Sequence, residues 1–98
     1  MAKYFVLWEL DPTRVPEEPK ERAAAWSLLM SMVKKDMEKG LTKDWGAIPG
    51  ELNGFFIIEA TEVELMMVTE QYNPYVSFQV FPVATVAQVD QLLAAMSQ

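Results

Sequence analysis

The chain is expected to fold as one α+β domain over residues 1–98, built on a four-stranded antiparallel sheet, and three observations lead there. Four stretches, residues 4–10, 43–48, 55–60 and 76–83, set bulky side chains in alternation with single polar ones, which is the side-chain period of a strand. Stretches with apolar residues three and four apart separate the first strand from the second and the third from the fourth, as helices do. Between the second and third stretches stands Pro49-Gly50 followed by Asn53-Gly54, a strong hairpin signal. A length of 98 residues leaves room for one domain.

Taken in order, residues 3–10 form a first strand rich in aromatic and β-branched side chains, halted by the Asp11-Pro12 turn signal. Pro16 or Pro19 then marks a helix entry, because proline is tolerated at the first helical position. This helix runs to about Lys39, with Ala25, Trp26, Leu29, Met30, Val33 and Met37 as its inner stripe. Lys34, Lys35, Asp36, Glu38 and Lys39 make its solvated side, and Gly40 stops it. Residues 41–48 form a short second strand whose large aromatic is Trp45, and residues 55–60 return as the third, with Ile48 taken to pair with Gly54. Thr61 and Glu64 have the spacing of a capping box, opening a short helix with Val63, Met66 and Met67 inward that ends before Asn73-Pro74. Residues 76–83 are the fourth strand, placed at a sheet edge or bulge by Pro82. Thr85 and Gln88 repeat the capping box for a terminal helix, whose apolar stripe is Val86, Val89, Leu92, Leu93 and Met96.

The order β-α-β-β-α-β plus a helix is the ferredoxin-like split pattern. Right-handed crossovers place both helices on one side of a sheet ordered 4-1-3-2 and leave the other side open. Period two assigns Tyr4, Val6, Trp8, Leu10, Phe56, Ile58, Ala60, Val76, Phe78 and Val80 to the helices. Phe5, Leu7, Glu9, Phe55, Ile57, Glu59, Ser77, Gln79 and Phe81 fall on the open side. In the expected hairpin register Trp45 opposes Ile57, and Lys43 opposes and pairs with Glu59, on that same side. So much apolar surface exceeds the roughly few hundred Å² that monomers leave in water, and dimerisation through the open face is the expected relief. The fragments Trp8-Glu9, Lys43-Asp44-Trp45-Gly46, residues 54–60 and residues 75–83 resemble a small family within the dimeric α+β barrel superfamily. That superfamily includes muconolactone isomerase, antibiotic-biosynthesis monooxygenases and stress-responsive barrel proteins. The resemblance implies a homodimer whose two sheets face each other across a twofold axis and enclose a cavity. The histidine that many catalytic members use is missing from this chain.

Composition narrows the chemistry. Without cysteine or histidine, disulfides and thiolate nucleophiles are excluded, and the commonest general base, metal ligand and haem ligand are gone; no cofactor and no metal site are expected. A net charge of −6 with scattered lysines argues against nucleic acid and against anionic membrane surfaces, both of which need clustered basic side chains. Residues 1–3 run straight into a strand pattern without an apolar leader, so cytoplasmic residence is expected.

Glu9 and Glu59 are the candidate catalytic residues, since a carboxylate desolvated among aromatics can act as a proton shuttle. They are expected roughly 13 Å apart along the strand axis, whereas paired-carboxylate hydrolysis needs about 5 to 9.5 Å, so within one subunit they do not pair. The plainer assignments are Glu59 tied to Lys43 or solvated, and Glu9 at a rim or dimer contact. Gln79, beside Leu7, would orient a ligand carbonyl or hydroxyl, or bridge the dimer. Trp45 would stack on a planar ligand or simply pack. Tyr75, with Tyr72 across Asn73-Pro74, would donate to a ligand at a cavity mouth or anchor a turn. Phe55, Ile57 and Phe81 would line the cavity. The methionines beyond the first are read as core filling from the helices. Two functions follow: a homodimeric module binding a small apolar or aromatic metabolite, and a cofactor-independent enzyme, isomerase or monooxygenase-like, moving protons on a hydrophobic substrate.

Overall fold

Alternation in the sequence becomes four strands in the computed structural model, which describes residues 2–98. The order is β1 (Ala2–Leu10), a 3-10 turn (Pro12–Arg14), α1 (Pro19–Glu38), β2 (Thr42–Ala47), β3 (Asn53–Ala60), α2 (Glu62–Glu70), β4 (Val76–Val83) and α3 (Val86–Met96). The sheet is antiparallel throughout with order β2-β3-β1-β4, the ferredoxin-like α+β arrangement. Pro82 lies in β4, an edge strand, where its missing N–H costs no interior ladder bond.

Local chemistry sets the ends. Pro19 opens α1, and the Glu18 carboxylate accepts from the Lys20 N–H at 3.2 Å. Gly40 follows α1 at φ 78, a left-handed conformation that closes helices without a Cβ clash. Both expected capping boxes form, Thr61 with Glu64 and Thr85 with Gln88.

One face of the sheet carries the core. Tyr4, Val6, Trp8 and Leu10 of β1 and Phe56, Ile58 and Ala60 of β3 are buried against Val33 of α1, Leu65 and Val68 of α2, and Tyr72. Each large side chain so buried contributes about 1.5–3 kcal/mol.

Four expectations need correction. In α1 the inner stripe continues from Val33 to Asp36, which is only 3% exposed, and Met37 faces solvent. A polar residue is tolerated there because the C-terminal end of α2 brings hydrogen-bond donors to it. In α2 the inward residues are Leu65 and Val68, and Val63, Met66 and Met67 point outward. Val63 and the run from Leu65 to Val68 put apolar side chains on two sides of the helix, so periodicity alone does not set the phase. Met66, Met67 and Met96, like Met37, are therefore exposed rather than core filling. In β2 a bulge falls between Thr42 and Asp44: Thr42 pairs with Ile58, Asp44 with Ile57, Trp45 with Phe56 and Ala47 with Gly54. The pairing is one residue off the expected one, and a shift of one turns each side chain to the opposite face. Trp45 therefore joins the helix side, stacked on Trp8 with centroids 5.3 Å apart and planes at 10°.

The terminal helix α3 has the expected stripe but buries no residue and is absent from the core packing. It extends the molecule to 62 Å along its longest axis, with a radius of gyration of 16.3 Å; a compact chain of this length would have about 13 Å.

Candidate functional site

The open face is floored by aromatics. Phe5 of β1 stacks on Phe55 of β3, with centroids 6.0 Å apart and planes at 21°, and meets Phe81 of β4 at 6.4 Å. Leu7 lies between Phe55 on one side and Gln79 on the other, and Glu9 between Asn53 and Ser77. Phe55 can lie across β2 because its ring covers Gly46, where a Cβ would come within 2.5 Å of the ring. The result is a concavity of about 500 Å³ lined among others by Leu7, Glu9, Asn53, Phe55, Ser77 and Gln79. Its floor is apolar and its polar groups gather toward the Glu9 end, where the Ser77 hydroxyl donates to the Glu9 carbonyl oxygen at 3.5 Å.

Of the residues expected from the sequence, Glu9, Gln79 and Phe55 come together in this concavity. Ile57, opposite Phe5, and Phe81 share the face without lining the hollow. Glu59 sits at the far end of the sheet. It pairs with Lys3 in the register where Glu9 pairs with Asn53, so the two carboxylates lie roughly 20 Å apart along the strands at ~3.3 Å per residue. That is farther than the expected spacing. Lys43 Nζ stands 3.9 Å from Glu59 Oε2, the expected cross-strand pair, reached from the bulged position of β2. Both partners are well exposed, which limits the pair to about 1 kcal/mol or less.

Trp45 leaves the site for the helix side, as the β2 register dictates. Tyr75 lines a separate groove of about 210 Å³ with Leu10, Val15, Trp26 and Leu29, and the Arg14 guanidinium sits 5.6 Å over its ring. Arg14 also pairs with Asp11 at 3.4 Å. The Thr13 hydroxyl and N–H donate to the Asp11 carboxylate and, with Arg14, hold its pKa below the usual value.

Two features escaped the sequence. Asn53 lines the concavity although its Asn-Gly context marks it as a turn residue; its place opposite Glu9 follows only from a hairpin register that starts there. The second is a buried polar cluster. Asp36 accepts from Gln71 Nε2 at 2.9 and 3.1 Å and from the Tyr72 hydroxyl at 3.0 Å. Burial first, and the neighbouring carboxylate second, push the Tyr72 hydroxyl well above its ordinary pKa. Beside this cluster lies an interior cavity of about 40 Å³ lined by Trp8, Trp26, Trp45, Asp36, Thr42 and Tyr72, among others. The Trp8 Nε1–H is buried without a protein partner. That volume suits small solvent molecules rather than a metabolite; the open-face hollow, at about 500 Å³ larger than the groove of about 210 Å³ beside Tyr75, is the candidate site.

Among the described residues no group of three or more acidic side chains is placed to hold a metal ion, and no helix is long and apolar enough to cross a membrane. A family model described as a domain of unknown function (DUF3303) matches residues 2–97. The search of curated proteins gives no match.

Proposed function

We propose, from the premise that this chain belongs to the DUF3303 family over residues 2–97, that it is a cytoplasmic homodimer of the dimeric α+β barrel type. Its open sheet faces pair and enclose a site for a small, flat, apolar or aromatic molecule carrying one polar group. The observation that carries this reading is the hollow on the open face: about 500 Å³, floored by Leu7 and Phe55, with Glu9, Asn53, Ser77 and Gln79 at its side. Small-molecule sites commonly measure roughly 300–1,000 Å³ and combine apolar walls with a few polar groups that fix orientation. An open hollow binds weakly because its ligand keeps one side in water, so a second copy laid over it supplies the missing wall.

Amide chemical-shift mapping with 2-naphthol as probe tests the reading. Shifts centred on Leu7, Phe55 and Gln79 are expected. Shifts confined to the groove beside Tyr75, or none at millimolar probe, would overturn it.

A second reading, cofactor-free proton transfer, rests on Glu9, the one candidate acid or base that lines the hollow. Glu9 would take a proton from the carbon next to a substrate carbonyl and return it to another carbon, an isomerisation. With an enolisable aryl ketone, Glu9→Gln should then abolish deuterium exchange from solvent while leaving binding intact. Exchange that persists in the variant removes this reading.

A further inference from the structure

Both arginines of a chain whose net charge is −6, Arg14 and Arg22, line one groove. It lies beside Tyr75, has a volume of about 210 Å³ and shares no lining residue with the open-face hollow. Its walls are apolar: Leu10 at the end of β1, Val15 from the segment before α1, and Trp26 and Leu29 from α1. The charged side chains on it are Asp11, Arg14 and Arg22, so one positive charge is left over once the carboxylate is set against a guanidinium. Glu17, Glu18 and Glu21 are near in sequence, but none of them lines the groove.

Each guanidinium is anchored. Arg22 donates through Nη1 to the carbonyl oxygens of Glu17 at 2.9 Å and Pro16 at 3.3 Å, and among the described residues its Nε and Nη2 have no protein acceptor. Arg14 meets Asp11 through Nε at 3.4 Å and rests 5.6 Å over the Tyr75 ring, an ion pair and a cation–π contact that orient its outer nitrogens. The Asp11 N–H donates to the Tyr75 carbonyl oxygen at 2.9 Å, which fixes the turn bearing Arg14 to the entrance of β4. Donors held in place in this way spare a ligand part of the ordering cost of binding.

Charge and size select the ligand. A guanidinium with unshared N–H groups matches a carboxylate, and such charge-assisted bonds are roughly twice as strong as neutral ones. A single excess positive charge suits a monoanion better than a phosphate group, which carries about −1.5 to −2. Small-molecule sites commonly measure roughly 300–1,000 Å³, so a groove of about 210 Å³ suits one ring or a branched aliphatic chain rather than a fused ring system.

We propose that this groove binds a small apolar monocarboxylic acid of the arylacetate class, its carboxylate held by Arg14 and Arg22 and its ring lying against Trp26 and Leu29. The site is complete within one subunit and stands whether or not the open faces pair.

Titration of the full chain with phenylacetate, followed by amide and indole N–H chemical shifts, tests the proposal. Saturable shifts are expected at Arg22, Tyr75 and the Trp26 indole N–H, with none at Leu7 or Gln79. Phenylacetamide, which keeps the ring and loses the charge, and 2-phenylethylamine, which reverses it, should bind roughly tenfold or more weakly than phenylacetate. Arg14→Gln and Arg22→Gln should each weaken phenylacetate binding roughly fivefold or more while the Phe5 and Leu7 amides keep their wild-type shifts. Phenylacetamide that binds as tightly as phenylacetate, shifts centred on the open face, or no shifts at millimolar phenylacetate overturn the proposal. These outcomes are read on the wild-type protein and hold however the variants fold. A folded variant of either arginine that keeps wild-type affinity overturns it as well.

Discussion

The Tyr72 hydroxyl donates to the buried Asp36 carboxylate at 3.0 Å, joining the end of α2 to the face of α1 that rests on the sheet. With Gln71 supplying the other donors, the carboxylate is satisfied without a cation, as a buried charge must be if it is to be tolerated. Tyr72→Phe should therefore cost about 1–3 kcal/mol, the penalty for leaving a buried acceptor short of a partner. The pH dependence has a definite sign. Because burial and Asp36 raise the Tyr72 pKa in the folded chain, the folded state holds that proton more tightly than the unfolded state does. The contribution is complete below about pH 10, the unfolded tyrosine value, and is lost as pH rises above it toward the folded value. Urea unfolding from about pH 8 to 11 should show the wild type losing more stability than Tyr72→Phe over that interval; parallel losses would mean the hydrogen bond is not formed in solution.

Phe55→Glu and Ile57→Lys should weaken open-face association more than tenfold. Each removes apolar burial of roughly 1.5–3 kcal/mol per side chain and sets a charge against Phe5. Lys35→Glu, on the solvated side of α1, should change nothing. Sedimentation equilibrium decides, and a Phe55→Glu chain with wild-type mass would show that the aromatic floor is not the contact.

Gly46→Ala should destabilise the chain by about 1–3 kcal/mol, the usual cost of overpacking, because its Cβ would meet the Phe55 ring. The same clash moves that ring out of the hollow, so affinity for an aromatic probe should fall as well. Thermal melts of Gly46→Ala, Phe55→Ala and the double variant form a cycle. The double variant should be less destabilised than the sum of the singles; strict additivity would remove the contact.

Lys43→Ala should shift stability by no more than about 1 kcal/mol, since the ion pair with Glu59 is solvent-screened. The shift should shrink further in 1 M salt, where the screening length is about 3 Å. A larger, salt-independent loss would assign Lys43 a packing role in the bulge.

How much of this was legible follows the physics of each signal. The ladder between β1 and β4 runs without a register break, and both the facing of Phe5, Leu7 and Gln79 and the Leu7–Gln79 pairing stand as read. The Thr61 and Thr85 caps were plain because a capping box needs two specific side chains three residues apart. What failed were phases. Apolar side chains stand on two sides of α2, Leu65 and Val68 on one and Val63, Met66 and Met67 on the other, so its periodicity does not distinguish Leu65 from Met66. Asp36 looked solvated among lysines because its donors, Gln71 and Tyr72, lie 35 and 36 residues away. The concavity was legible in part: Glu9, Phe55 and Gln79 were placed by period two. Trp45 was misplaced because Ala47, not Ile48, pairs with Gly54, a one-residue difference in the hairpin that local composition does not mark.

The bulge absorbs the extra residue near Lys43, so Thr42 and the run from Asp44 to Ala47 keep the faces that an unbulged ladder would give them. A relative one residue shorter there would keep its indole against Trp8 and lose only the lysine that reaches Glu59. A one-residue change within residues 48–53, by contrast, would re-register the hairpin and turn the indole to the open face, so the position of a gap in an alignment, before or after the tryptophan, decides whether the core stack survives.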